Sequence, residues 1–154
     1  MKKLAKLSIV LFAGLLVFTG CGKEEEVKTL RCTKTGEATT GVEADLTYEV
    51  TYKGDYVQKV HTVEKLKSDN EEYLNQYKEL VEAGYEDYKD VKYYDYSVEV
   101  KNGVLTSTVD IDYSKIDTDK MIEINSSNAA LIKNGKVKVD DMKTLYETVG
   151  ATCK

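Results

Sequence analysis

Residues 94–111 read YDYSVEVKNGVLTSTVDI, and this pattern predicts a β-hairpin. Asn102-Gly103 matches the two-residue type I′ turn, which needs positive φ at both central positions. On both sides of the turn, alternate positions carry mostly apolar or aromatic residues, and the positions between them carry charged residues, serine or threonine. The alternation predicts two strands with one face in the core and the other in solvent.

A second hairpin is predicted upstream, where β-rich residues 46–53 and 56–66 flank Gly54-Asp55. If Lys53 and Tyr56 flank the turn, alternate residues of both strands share one face. These residues are Leu46, Tyr48, Val50, Tyr52, Val57, Lys59, His61 and Val63. Before this hairpin, residues 28–34 are predicted as a first strand and residues 35–45 as a polar loop.

Helices are predicted between and after the hairpins. Ser68-Asp69-Asn70-Glu71 has the spacing of a capping box. Positions 73, 74, 77, 80 and 81 then form one apolar stripe, and Gly84 is a suitable stop. Shorter helical segments are expected at residues 118–124 and 127–133, and a last helix from Asp140 to Gly150. This order indicates an α+β fold: an antiparallel sheet built from two hairpins plus an N-terminal strand, with helices packed on one face.

The first twenty residues, MKKLAKLSIVLFAGLLVFTG, have the basic start and the short apolar segment of a secretory signal peptide. The apolar segment of about a dozen residues is shorter than the roughly 20 that a permanent membrane span needs. It ends in Phe18-Thr19-Gly20-Cys21, which resembles the lipobox of bacterial lipoproteins. We therefore expect a diacylglycerol thioether on Cys21, with enough acyl chains for stable anchoring. The alternative is an ordinary secretory signal in which Cys21 is incidental.

The predicted organisation is a signal peptide at residues 1–20, a lipid-anchored flexible tether at residues 21–28 and a single α+β globular domain at residues 29–154. The predicted location is extracytoplasmic, and the predicted partner is the membrane, which the chain contacts through its N-terminal lipid. Without the three lysines of the signal peptide, 19 basic residues face 27 acidic ones, a net charge of about −8. This charge disfavours nucleic-acid binding and is expected to keep the domain off anionic headgroups.

Two further cysteines, Cys32 and Cys153, lie near the two ends of the predicted domain. They are too far apart for a CxxC redox motif, and no second histidine or cysteine cluster accompanies them to hold a metal. Because disulfides persist in exported proteins, a bond between them is favoured over free or intermolecular thiols.

Several of these features together resemble the YehR-type small bacterial lipoproteins. They are the lipobox, residues 50–57 with their YKGD turn, the segment VDIDY at residues 109–113, and the predicted helix from Met142 to Gly150. The similarity covers nearly all of the mature chain, and the cysteine pair is similar to that of Gram-positive members. The resemblance implies a shared α+β fold and an envelope location. The family is grouped as a domain of unknown function, so the resemblance implies no catalytic residues.

No catalytic residue, metal ligand or cofactor is predicted. His61 is the only histidine, and no serine or cysteine motif marks a nucleophile for it. The acidic residues from Asp110 to Glu123 invite a calcium interpretation, because calcium prefers several carboxylates close together. As an EF-hand loop they fail, since Lys115 stands at the sixth position instead of glycine and Met121 at the twelfth instead of glutamate.

The twelve tyrosines could supply a binding surface, because aromatic rings stack on ligands and phenols form hydrogen bonds. Six of them lie on predicted core faces. Tyr85, Tyr88 and Tyr93 lie between predicted elements and form the candidate interaction patch. The favoured function is a non-enzymatic envelope module that binds a partner protein, a cell-wall component or a small ligand. The alternative is an enzyme or metal-dependent protein that uses dispersed carboxylates.

Overall fold

A computed structural model of the chain describes residues 25–39 and 41–154, so the predicted signal peptide and Cys21 lie outside the described residues. The strands within these residues are β1 Val27–Thr39, β2 Val42–Lys53, β3 Tyr56–Lys67, β4 Tyr94–Lys101, β5 Val104–Asp112, β6 Ile132–Lys133, β7 Lys136–Val137 and β8 Thr152–Cys153. The α-helices are α1 Glu71–Tyr85, α2 Thr118–Ile124 and α3 Val139–Thr148, with 3-10 turns at Glu86–Tyr88 and Ser126–Ala130. No helix of the described part is long and apolar enough to span a bilayer.

Six strands form one antiparallel sheet in the order β4-β5-β3-β2-β1-β8, and β6 pairs with β7 in a separate ribbon. Helix α1 lies over β4 and β5, and α3 lies over β1. Both helices pack on the sheet face that carries the buried residues, which we call the covered face; the opposite face is the open face. The predicted α+β fold with helices on one face is confirmed.

The β4–β5 hairpin forms as predicted. Asn102 and Gly103 have φ of +53° and +73°, the positive values that a type I′ turn requires. Val100 then lies opposite Leu105, whose side chain is fully buried beneath α1.

The β2–β3 hairpin has the predicted turn, with Lys53 opposite Tyr56, but the predicted face of β3 is wrong beyond Val57. Gln58 forms a β-bulge, because Tyr52 pairs with Val57 while the next residue back, Thr51, pairs with Lys59. One extra residue moves every later side chain to the other face. Beyond the bulge the covered face carries Val60, Thr62, Glu64 and Leu66, and the open face carries Lys59, His61, Val63 and Lys65.

The start of the domain also differs from the prediction. Strand β1 begins at Val27, two residues inside the predicted tether, and most of the predicted loop at residues 35–45 is strand. Strands β1 and β2 pair along their whole length, from Val27 opposite Lys53 to Thr39 opposite Val42. The polar residues of this region form strands because β1 pairs with β2, and β2 pairs with β3. This pairing satisfies their backbone hydrogen-bonding groups while their side chains remain in solvent.

Helix α1 begins two residues later than the predicted capping box, which had Ser68 as the N-cap. Asn70 is the N-cap and accepts a hydrogen bond from the Tyr73 amide at 3.0 Å, whereas the buried Ser68 hydroxyl donates to the Gly41 carbonyl at 3.2 Å. Leu80, expected in the buried stripe, is 68 % exposed. The reason is that α1 lies over the edge of the sheet, where only part of its stripe finds strand residues beneath it.

The last helix has Lys138 at its N-cap instead of the predicted Asp140, and it buries Met142 and Tyr146 on the sheet. The unpredicted strand β8 follows it and pairs with β1. Cys153 lies directly opposite Cys32, and a disulfide joins them with their Cα atoms 4.0 Å apart. The predicted disulfide is confirmed.

Candidate binding surface on the open face

The open face is formed by alternate residues of β1 to β5, and α1 and α3 both lie on the other side of the sheet. Threonine is its most frequent residue. The threonines are Thr29, Thr33, Thr35, Thr47, Thr51, Thr106 and Thr108. Threonine suits these positions because its branched side chain favours strands and its hydroxyl remains accessible to solvent. The face therefore presents polar groups on a rigid sheet.

A row of charged residues crosses the middle of this face. Strand pairing places Arg31, Glu49, His61, Asp110 and Asp95 opposite one another on five successive strands. The Arg31 guanidinium and the Glu49 carboxylate are 2.8 Å apart, and His61 Nδ1 lies 2.7 Å from an Asp110 oxygen. Asp95 and Asp110 are like charges at directly opposite positions, an arrangement that weakens a strand pair. The row is positive at the β1 side and negative at the β4 edge.

Two shallow depressions lie on either side of His61. One, of about 410 Å³, extends from Thr29 and Thr51 to Tyr93 and Asp95. The other, of about 350 Å³, lies between Arg31 and Lys65. Both combine charged groups with threonine hydroxyls, so the face can bind a polar ligand or a polar protein surface. The β-bulge at Gln58 creates this arrangement, because it moves His61 from the covered face to the open face.

Asp112 closes one end of the larger depression. Only 13 % of its side chain is exposed, and this burial by itself would raise the carboxyl pKa. Hydrogen bonds from Ser114 and an ion pair with Lys115 at 3.1 Å outweigh the burial and lower the pKa. Lys59 is a more distant partner at 3.9 Å. Asp112 is thus an ionised residue that holds the turn after β5.

The acidic residues from Asp110 to Glu123 do not converge on one site. Asp110 contacts His61, whereas Asp117 caps α2 by accepting a hydrogen bond from the Lys120 amide at 3.0 Å. Glu123 pairs with the Lys120 side chain at 3.7 Å. Within residues 25–39 and 41–154, no three Asp, Glu, His or Cys side chains come together as metal ligands. His61 contacts a carboxylate, and no serine or cysteine is among the residues that line its depressions.

The three tyrosines of the predicted patch do not form one surface. Tyr85 and Tyr88 pack against the core on the covered face, where the Tyr88 ring stacks on Tyr94 with centroids 4.7 Å apart. Tyr93 is 48 % exposed and lines the larger depression of the open face, with the Lys115 ammonium 5.5 Å from its ring centroid. Only Tyr93 therefore belongs to the candidate binding surface. The patch is predicted from the position of these tyrosines outside the predicted core faces, but Tyr85 and Tyr88 pack against the core before β4 begins.

A half-buried carboxylate on the covered face was not predicted. Glu64 lies between the sheet and α1, where burial raises its pKa and a hydrogen-bonding contact from the Tyr77 hydroxyl opposes that shift. Burial likewise raises the pKa values of Tyr48 and Tyr85, with Glu64 adding to both. Tyr85 also contacts the buried Ser107. Glu64 was placed on the solvent side by the register without the bulge.

Comparisons with known proteins agree with this fold. The profile of the family described as "Protein of unknown function (DUF1307)" matches residues 32–151. The solution structure of the YehR protein of E. coli is similar, with a TM-score of 0.56 and 19 % identity over 84 % of this chain and 91 % of that chain. A protein from Streptococcus pneumoniae TIGR4 gives a TM-score of 0.51 and 18 % identity over the whole of both chains. No curated protein sequence matches significantly.

Proposed function

Because this chain belongs to the DUF1307 family of proteins of unknown function, its relatives supply a fold without an activity, and we propose a function from its own residues. The chain is a lipoprotein, anchored outside the cytoplasm through Cys21, whose domain is a non-enzymatic binding module of the cell envelope. The predicted membership of the YehR-type family is confirmed by the family match and by the likeness to YehR.

The observation that carries the binding role is the open face. Five strands present threonine hydroxyls and a charged row on a surface that no described helix covers. A polar sheet face of this kind binds through hydrogen bonds and charge complementarity, which favour specificity and fast association. His61 contacts Asp110, and the depressions beside it are lined by neither serine nor cysteine, which supports binding over nucleophilic catalysis.

The anchor is supported by the N-terminal sequence and by the disulfide. A basic and then apolar segment ends at small residues before Cys21. The Cys32–Cys153 bond suits a compartment in which disulfides persist. Neither feature is expected of a protein that remains in the cytoplasm.

Lipidation is tested by growing cells that express the parent chain or Cys21→Ser with a labelled fatty acid. We expect label in the parent chain and none in the variant, since the thioether needs the Cys21 sulfur. Equal labelling of both chains contradicts the anchor.

The binding role is tested with a photo-crosslinking residue at Thr108, in the middle of the open face. The control carries the same residue at the exposed Asn75 of α1. We expect a discrete adduct in intact cells from position 108 only, and its loss when Glu49→Lys reverses one charge of the central row. Identical adducts from both positions, or an adduct unaffected by Glu49→Lys, contradict the open face as the binding surface.

A further inference from the structure

One end of the domain carries a group of exposed lysines around an exposed tyrosine. Tyr56 starts β3 and is 38 % exposed, and the ammonium of Lys136 lies 4.8 Å from its ring centroid. Lys138 pairs with Tyr56 across an isolated β-bridge. A depression of about 240 Å³ is lined by Tyr56, Asn134 and the three lysines Lys133, Lys136 and Lys138. We call Lys53, Tyr56, Lys133, Lys136 and Lys138 the basic patch.

The lysines of this patch are available for an external partner. None of the four forms an ion pair with another described residue, although the Lys133 ammonium donates to the Ala129 carbonyl at 2.6 Å. The carboxylates at this end are Glu25, which lies against Gly54, the exposed Glu26 that precedes β1, and Asp55 in the β2–β3 turn, three against the four lysines. Asp140 and Asp141 are nearby in α3 but line neither depression next to Tyr56. The patch is therefore locally positive in an acidic domain.

The opposite end of the sheet has the opposite charge. At the β1–β2 turn, a depression of about 680 Å³ is lined by Glu37, Glu43, Asp45 and Asp69, with Lys67 as its one basic residue. The net negative charge of the chain is thus not spread evenly along the sheet. Near an anionic surface, such a charge distribution attracts the lysine end and repels the other end.

The basic patch is also the end at which the anchor joins the domain. Val27, the first residue of β1, pairs with Lys53 of the patch. From Cys21 to Val27 there are six residue steps, which span at most about 20 Å even when fully extended. If Cys21 carries the lipid, as proposed above, Val27 stays within about this distance of the membrane surface, and Lys53 lies directly beside it.

We propose that the basic patch docks on the anionic phospholipid headgroups of the membrane that holds the anchor, with Tyr56 at the headgroup level. Each lysine close to an anionic bilayer strengthens the electrostatic attraction of the domain to the membrane, and tyrosine is favoured at the membrane interface. Docking fixes the orientation of the domain and points the acidic end away from the membrane. This inference rests on the proposed anchor and differs from the expectation that net charge keeps the whole domain off anionic headgroups.

The test uses a tryptophan reporter, because the chain contains no tryptophan. The lipidated full chain with Tyr56→Trp is added to vesicles of phosphatidylcholine alone or of equimolar phosphatidylcholine and phosphatidylglycerol. We expect a blue shift of the emission on the anionic vesicles only, and its loss when Lys133, Lys136 and Lys138 are replaced by Gln. Thr39→Trp at the acidic end is the matched control, and its emission should not change on either vesicle.

A second measurement tests the patch without the anchor. Partition of a Cys21→Ser chain expressed without residues 1–20 onto the anionic vesicles at low salt should fall roughly fivefold for each of the three lysines replaced by Gln. Equal Tyr56→Trp emission on both vesicles, or partition unaffected by the lysine replacements, overturns the docking proposal. Failure of the lipid anchor is a separate result, because only an anchored chain floats with uncharged phosphatidylcholine vesicles.

Discussion

The two faces of the sheet are built from the same five strands, yet they differ in what holds them in place. The covered face carries fully buried residues such as Val50 and Leu105, and the Tyr48 and Tyr146 rings stack with centroids 4.0 Å apart. The open face carries threonines and partly exposed ion pairs. Successive residues of one strand therefore contribute very differently to the free energy of unfolding.

The largest expected effect belongs to the disulfide on the covered side. Cys32 is fully buried and its bond closes a loop with a sequence separation of 121. Replacing both cysteines by Ser should lower the free energy of unfolding by up to about 4–5 kcal/mol, because the unfolded chain regains the freedom that the bond removes. Thermal unfolding of oxidised parent and double variant measures this loss.

The matched control for the double variant is the parent chain in reductant. If reduced parent and double variant melt together, well below the oxidised parent, the bond itself accounts for the difference. An oxidised parent no more stable than the double variant would show that the covered face alone holds the domain.

The second prediction compares two neighbours on opposite faces. Leu105→Ala should destabilise the fold by about 2–5 kcal/mol, because it leaves a cavity beneath α1. Thr106→Ala, one residue later on the open face, should change the free energy of unfolding by less than about 0.5 kcal/mol. Urea unfolding of both variants gives the comparison directly. Similar losses for both would mean that the two faces do not differ as described.

The third prediction concerns Asp112, where the open face does contribute to stability. Its lowered pKa means that the folded state favours the carboxylate, so its contribution is present above the unfolded pKa of about 3.9 and is lost as pH falls through the lower folded value. Asp112→Asn should reduce stability at neutral pH by about 1 kcal/mol, through loss of the Lys115 pair and weaker bonds with Ser114. The difference from the parent should shrink below about pH 4. A difference independent of pH would contradict the role of the charge.

The smallest effects are expected from two glutamates on opposite faces. Burial raises the pKa of Glu64, so the contribution of this one residue to stability is fully present below its unfolded pKa of about 4.3 and is lost as pH rises through its folded value. Glu64→Gln keeps an acceptor for Tyr77 and should raise the neutral-pH melting temperature by a few °C, on the order of 1 kcal/mol or less. Glu49→Gln on the open face should change it by less than half of that. Equal responses of the two variants to pH would contradict the difference in burial.

Local signals predicted the turns correctly and failed where the fold depends on partners. The two hairpin turns are determined by the positive φ values of Gly54, Asn102 and Gly103, which glycine and asparagine adopt more easily than other residues. The bulge at Gln58 leaves a weaker signal in the sequence. Val57 and Val60, which are both buried, are three residues apart, whereas residues on one face of a regular strand are an even number apart. Missing it placed His61 on the covered face.

The candidate surface was therefore only partly predictable. Arg31, His61 and Asp110 come from distant segments of the chain. They come together because β3 pairs with β5, a pairing that the sequence did not predict. Strand β8 has two residues, too few for any periodicity, so only the cysteine indicated where it would lie. Residues 35–45 look like a loop because their side chains are polar, and long-range pairing with β2 decides otherwise.

The closure of β1 onto β8 has a mechanical consequence. The Arg31 and Lys154 backbones exchange hydrogen bonds of 3.0 and 2.8 Å beside the Cys32–Cys153 bond. Tension applied between the N-terminal side of β1 and residue 154 passes through this covalent link and bypasses the residues between the cysteines. Only the pairing of residues 27–31 with β2 and of Lys154 with Arg31 would carry load, so a pull that unfolds the reduced domain would detach and straighten only these terminal residues of the oxidised one.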